Sequence, residues 1–145
     1  MSNRIVTIKD LIRLKDAIEH HRRSIAEYGT CLDAFRDELD RMEVVAPHDI
    51  PADVVTLDSR VRVRRVGNAT GQVWTLTLPE RSSLSAGRLS VLSPVGQSLV
   101  GARVGDLRGV AAVNETWVLA IEEMVFQPEG VGVLRAERHI GISGA

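Results

Sequence analysis

Aromatic residues make up only 3% of this 145-residue chain. The core must therefore be built from Val, Leu, Ile and Ala, and a function that needs an aromatic-lined pocket is poorly supplied. A single cysteine, Cys31, excludes an internal disulfide and fits a reducing compartment. No apolar run approaches the length of a membrane span, so the expected location is the cytoplasm, away from membranes. Charge of one sign is also lacking: 18 Lys and Arg stand against 19 Asp and Glu, a net charge of -1. Bulk charge therefore does not point to a polyanion-binding surface, and contact with nucleic acid needs a local patch. The sequence has no glycine-rich phosphate loop with lysine, no Cys-x-x-Cys and no His-Glu-x-x-His. Nothing places a histidine base near Cys31, and Ser82, Ser83 and Ser85 lie outside any nucleophile-elbow pattern. His20 and His21 are adjacent, so on a helix they point about 100° apart and chelate poorly together. No catalytic residue, cofactor or metal is expected.

What is present reads as an α+β chain. From Thr7 to Glu27, the residues Ile8, Leu11, Ile12, Leu14, Ala17, Ile18 and Ile25 fall mostly at three- and four-residue steps, the period of a helix. Thr7 is placed to cap it, and Asp10 to meet its free N–H groups. Gly29 interrupts the pattern. Thr30 can cap a second helix, along which Leu32, Phe35, Leu39 and Met42 recur. The short break predicts an antiparallel hairpin, in effect a short coiled coil. Its apolar stripe must rest on the following domain, a second copy or a partner. Pro47 and Pro51 mark a linker. Beyond it the composition turns to Val, Gly and Thr, with strands expected at Val54–Leu57, Ser59–Val66, Gln72–Leu78, Leu89–Leu92, Leu107–Val113 and Glu115–Gln127. The expected organisation is a helical hairpin over 1–46, a linker over 47–53, a mainly antiparallel sheet domain over 54–130 and a loose tail over 131–145.

The stretch from Gly87 to Asp106 is the most informative. Leu89 to Leu92 form a strand that Ser93-Pro94 stops, because proline cannot donate to a ladder. Gly96 permits a turn, Gln97 to Val100 make one helical turn ended by Gly101, and Gly105 allows the reversal at Arg103–Asp106. Together, the strand, Ser93-Pro94-Val95-Gly96, Leu99, Gly101 and Val104-Gly105-Asp106 resemble the C-terminal domain of the bacterial Gre-type transcript cleavage factors. Two further stretches are similar to the short-hairpin branch of that family, which includes the regulator of nucleoside diphosphate kinase. They are Pro51 to Arg64, with Val54-Val55-Thr56-Leu57-Asp58-Ser59-Arg60-Val61, and Glu122-Glu123-Met124-Val125-Phe126-Gln127-Pro128-Glu129.

The resemblance implies an FKBP-like C-terminal domain with one short helix, and RNA polymerase as partner, with nucleic acid met only within the transcription complex. It implies that Leu92, Ser93, Pro94 and Val95 form the polymerase-binding loop at the rim of the secondary channel, which the hairpin enters. Cleavage-stimulating members carry at the tip a glycine, Asp, two residues, then Glu. Here Gly29 is followed by Thr30, and Asp33 stands at the place of Glu, so the tip of Glu27, Tyr28, Thr30 and Asp33 is short of acids. The expected function is a regulator that occupies the channel and competes with cleavage factors without stimulating cleavage. One further candidate site comes from strand periodicity: Arg60, Arg62 and Arg64 share a sheet face and form a possible basic patch for phosphates or acidic protein groups. Two other functions stay open: a protein-interaction or dimerisation module built on the hairpin, and a prolyl isomerase, suggested by the fold alone.

Overall fold

The computed structural model describes residues 4–24, 29–112 and 115–130, without side chains at 22–24, 29–31, 111 and 112. The expected tail over 131–145 lies outside the described residues, as do Glu27 and Tyr28.

The chain opens with a strand that the helical period concealed. β1 (Ile5–Thr7) pairs in parallel with β2 (Glu43–Val45), with Val6 opposite Val44. Between them run α1 (Ile8–Ser24) and α2 (Gly29–Asp40). The two short strands thus clasp the base of the helical hairpin. Thr7 caps α1 as its sequence suggests, its Oγ1 accepting from the Asp10 N–H at 3.0 Å. α2 already includes Gly29, so the cap expected at Thr30 lies inside the helix, and Met42 lies past its end although it is buried with Leu39. Lys15–Asp40 and Arg36–Glu19 ion pairs cross between the arms.

The apolar stripe of the hairpin rests on the following domain, one of the three possibilities left open above. Leu14, Ile18, Leu32, Phe35 and Leu39 belong to one buried cluster with Val55, Leu57, Val61, Leu76, Leu99 and Ile121. A second, small cluster of Ile5, Ile50 and Val54 sits under the β1–β2 clasp.

Val54–Leu57 does not form the expected strand. All four residues are buried, which reads in sequence as a central strand. Their backbone partners, however, lie in a turn: Val55 N–H donates to Ala102 O at 2.8 Å, and Gly101 N–H donates to Val55 O at 2.9 Å. Only a single bridge, Val54 to Arg103, has strand character. Asp58, with φ of 69°, ends the segment in the left-handed region.

The main sheet comprises β3 (Arg60–Arg65), β4 (Gln72–Thr77), β5 (Arg88–Ser90), β6 (Leu107–Ala112) and β7 (Glu115–Phe126), in the order β5-β4-β3-β7-β6. All neighbours are antiparallel except β4 and β5. The strand expected at Leu89–Leu92 is shorter and ends at Ser90, because the backbone bends there to enter the corner. β7 slips register twice against β3, skipping Glu122 and Val125. Such bulges redirect side chains, and here they bring both Glu122 and Glu123 toward the arginines of β3.

Candidate functional site

The Ser93-Pro94 corner is a helix start. α3 runs from Pro94 to Leu99, three residues earlier than its sequence suggests. Ser93 is the cap: its Oγ accepts from Gly96 N–H at 3.1 Å and donates to Ser90 O at 2.6 Å. Pro94 occupies the first helical turn, where its missing N–H costs nothing and its fixed φ suits the helix. Gly96 is required by proximity, since a Cβ there would stand 2.1 Å from Ser90 O. The turn expected of it is instead a close approach between α3 and the end of β5. Gln97 closes the corner from the other side, its Nε2 donating to Leu92 O at 2.9 Å. Gly101, with φ of 79°, and Gly105, with φ of 95°, serve the turns assigned to them.

Of the four residues in this loop only Pro94 is exposed; Leu92, Ser93 and Val95 are half-buried. Leu92 and Val95 both pack on the core. The loop is therefore a rigid shoulder with one outward proline, rather than a protruding apolar tip. Pro94 stands as a ridge between two hollows of about 240 Å³ each. The first is mainly apolar, with His21 and Leu32 of the hairpin facing Pro79, Leu92 and Ser93. The second is mixed in character, with Ala34 and Glu38 of α2 facing Gln97, Ser98 and Arg108. Helix α2 thus walls both hollows, so hairpin and sheet domain build this surface jointly. No sequence period foretold that Leu32, Glu38 and Arg108 would meet Pro94.

The arginine stripe has a different character. Arg60, Arg62 and Arg64 do share a face of β3, opposite buried Val61 and Val63. Arg64 pairs with Glu122 at 2.8 Å and Arg62 with Glu123 at 3.5 Å. Arg65 pairs with Glu115 at 3.4 Å and lies 4.8 Å over the Trp117 ring. Only Arg60 of the stripe has no ion-pair partner among the described residues. The face is a ladder of matched charges, which leaves less uncompensated positive potential than the sequence suggests.

At the hairpin tip, Thr30 lies in the first turn of α2, and Asp33 is exposed one turn from its start. Among the described residues no group of three or more His, Cys, Asp or Glu side chains is placed to hold a metal ion. The His20 and His21 rings meet edge to face at 5.2 Å, and His21 Nδ1 lies 3.1 Å from Ala17 O, so that nitrogen is tied to its own helix. Trp74 and Trp117 line one hollow with Leu89 and Val95, whereas Phe126 lies in another beside Asp58 and Arg60. The three aromatics of the sheet domain therefore do not converge on one pocket.

Asp10 is a buried acid whose role the sequence misplaced. Instead of serving its own helix, its Oδ2 accepts from Leu57 N–H, 47 residues on, at 3.0 Å. Burial pushes its pKa from 3.8 up to about 6, partly offset by the Leu57 N–H; Glu129 and Asp58 raise it further and Arg13 lowers it. Thr56 Oγ1 donates to Glu129 at 2.7 Å, and Gln127 donates to Pro51 O and Val54 O at 2.8 Å. Helix α1, the buried 54–59 loop and the end of β7 are fastened together here.

Residues 50–123 match the family described as transcription elongation factor, GreA/GreB, C-terminal. The chain is 40% identical over 105 residues to the regulator of nucleoside diphosphate kinase of Escherichia coli K12, a match covering 69% of this chain and 74% of that protein. It is 28% identical over 90 residues to transcription elongation factor GreA of Thermodesulfovibrio yellowstonii, covering 62% of this chain and 57% of that one. Among solved structures, prokaryotic transcription elongation factor GreA/GreB from Nitrosomonas europaea is similar with a TM-score of 0.68 and 30% identity, covering 87% of this chain and 100% of that one. No helix among the described residues is long and apolar enough to cross a membrane.

Proposed function

This chain belongs to the GreA/GreB C-terminal family, and from that premise we propose that it regulates transcription by binding RNA polymerase. The shoulder of Leu92, Ser93, Pro94 and Val95 docks at the rim of the secondary channel, and the hairpin enters the channel. The observation that carries this reading is the placement of Pro94. It is a rigid, exposed ridge, fixed by the Ser93 cap, with a hollow on either side for partner side chains. A pre-ordered surface of this kind loses little entropy on docking.

The hairpin occupies the channel without chemistry. Asp33 is the one acid at the motif positions of the tip, where Thr30 replaces the other, and a single carboxylate does not complete the six oxygens that Mg²⁺ requires. The described part of α1, 17 residues long, rises ~25 Å. The protein competes with cleavage factors for the same rim.

Binding to core polymerase tests the reading. Pro94→Glu is compatible with a helix N-terminus, where a negative charge is favourable, so the fold is kept while the ridge is changed. Expected results are binding by the wild type, at least tenfold weaker binding by Pro94→Glu, displacement of a cleavage factor, and no cleavage of a stalled transcript. Equal binding by Pro94→Glu removes the interface, and efficient cleavage removes the account of the tip.

A second reading draws on Ile8 and Ile12, one turn apart on α1 and 46% and 63% exposed. Apolar side chains on one outer helix face suit self-association. Light scattering decides it: a concentration-dependent dimer abolished by Ile12→Lys, with no binding to polymerase, would favour this reading over the first.

A further inference from the structure

Arg108 projects from β6 into the hollow of mixed character beside Pro94, which it lines with Glu38, Gln97 and Ser98. Its Nε–H donates to Ser98 O at 3.0 Å, which anchors the guanidinium against α3. The four other N–H groups of the guanidinium have no hydrogen-bond or ion-pair partner among the described residues. The nearest acids are already engaged. Glu38 is bound by Arg4, whose guanidinium also donates to Gln97 O at 2.9 Å and Val100 O at 3.3 Å. Asp106 accepts from Arg103 N–H at 2.9 Å. Half-burial and the neighbouring Arg4 both disfavour the charge on Arg108 and lower its pKa, while Asp106 and Glu38 only partly compensate. An arginine held by one bond, partly stripped of water and facing an open hollow of about 240 Å³ is arranged to receive an anion.

We propose that Arg108 receives a carboxylate side chain of RNA polymerase, in two parallel N–H···O bonds, at the hollow flanking Pro94. This deepens the reading above and rests on it. The apolar hollow on the other side of Pro94, lined by Leu32, Pro79 and Leu92, takes an apolar side chain of the same partner segment. A segment carrying both groups would straddle the proline, and the required spacing sets register as well as affinity. The planar fork of Arg108 matches a carboxylate, whereas a lysine in its place offers a point charge without that geometry.

The test compares full-length wild type, Arg108→Gln, Arg108→Lys and Pro94→Glu for binding to core RNA polymerase over a range of salt, with the melting temperature of each recorded. Expected is binding weakened about 10- to 100-fold by Arg108→Gln. Arg108→Lys should recover part of that loss, and the salt dependence should be shallower for Arg108→Gln than for wild type. A purely structural role at Ser98 O would lower the melting temperature and affinity while leaving the salt slope unchanged. That outcome, or binding by Arg108→Gln within twofold of wild type while Pro94→Glu fails, overturns the carboxylate assignment and leaves the docking surface standing. Absence of binding by wild type overturns the docking surface, and Arg108 with it.

Discussion

Replacing Asp10 by Asn should flatten the pH dependence of stability. Asp10 is almost fully buried, with 2% of its surface exposed, and its pKa rises from 3.8 to about 6 on folding. A carboxyl whose folded pKa is raised binds more protons in the native state than in the unfolded chain between these two values. Its ionisation therefore opposes folding as pH rises, and stability is recovered on acidification through 6 toward 4. With these two pKa values, linkage gives a loss of about 2 kcal/mol between pH 4.5 and 7.5, and about 3 kcal/mol in all by neutral pH. Asparagine keeps an oxygen for the Leu57 N–H but carries no charge to desolvate. It gives up the partly exposed Arg13 contact at 3.3 Å, worth up to ~1 kcal/mol. The variant should thus be at least as stable as wild type at pH 7.5 and relatively less stable at pH 4.5. Urea unfolding followed by circular dichroism on both proteins at both pH values gives the comparison, since titrating groups that do not couple to Asp10 cancel in the difference. If the two profiles run parallel, the raised pKa and the role assigned to burial are wrong. Glu129 and Asp58 face the same site and add to the shift, so Glu129→Gln should lower the Asp10 pKa, measurable by carboxyl NMR titration.

Further outcomes follow from the packing. Phe35 belongs to the cluster that joins hairpin and sheet, so Phe35→Ala should cost about 3–5 kcal/mol and lower the stability of the whole protein in one cooperative transition. Two separate transitions by circular dichroism and tryptophan fluorescence would contradict the shared core. Gly96→Ala places a methyl group 2.1 Å from Ser90 O and should destabilise by roughly 1–3 kcal/mol or more, while weakening polymerase binding through displacement of Pro94. A double-mutant cycle on Arg64 and Glu122, an ion pair near the surface, should return a coupling below about 1 kcal/mol. Arg62→Gln should leave polymerase binding unchanged, because Glu123 already matches its charge.

Local rules decided much of this molecule before any tertiary contact was known. The three- and four-residue spacing of Leu14, Ile18, Leu32, Phe35 and Leu39 is a property of a helix surface, and those residues form the buried stripe. Alternation in Arg60–Arg65 and Gln72–Thr77 is a property of a pleated strand, and both strands stand within a residue or so of where they were expected. Ser93, Pro94, Gly101 and Gly105 act through their own backbone chemistry, as a cap, a first-turn proline and two left-handed turns. Whatever depends on a partner far along the chain was decided only in three dimensions. Burial made Val54–Leu57 look like a strand, but a strand needs a ladder, and the groups facing it belong to the turn at Gly101–Ala102. The β1–β2 clasp consists of two three-residue segments separated by an entire hairpin, too short to show a period. Two bulges in β7 set acids against the arginine stripe, which strand alternation alone cannot foresee. The surface around Pro94 draws Leu32 and Glu38 from α2 and Arg108 from β6, because side-chain neighbours across elements are fixed by how those elements pack, and no period within one element records it.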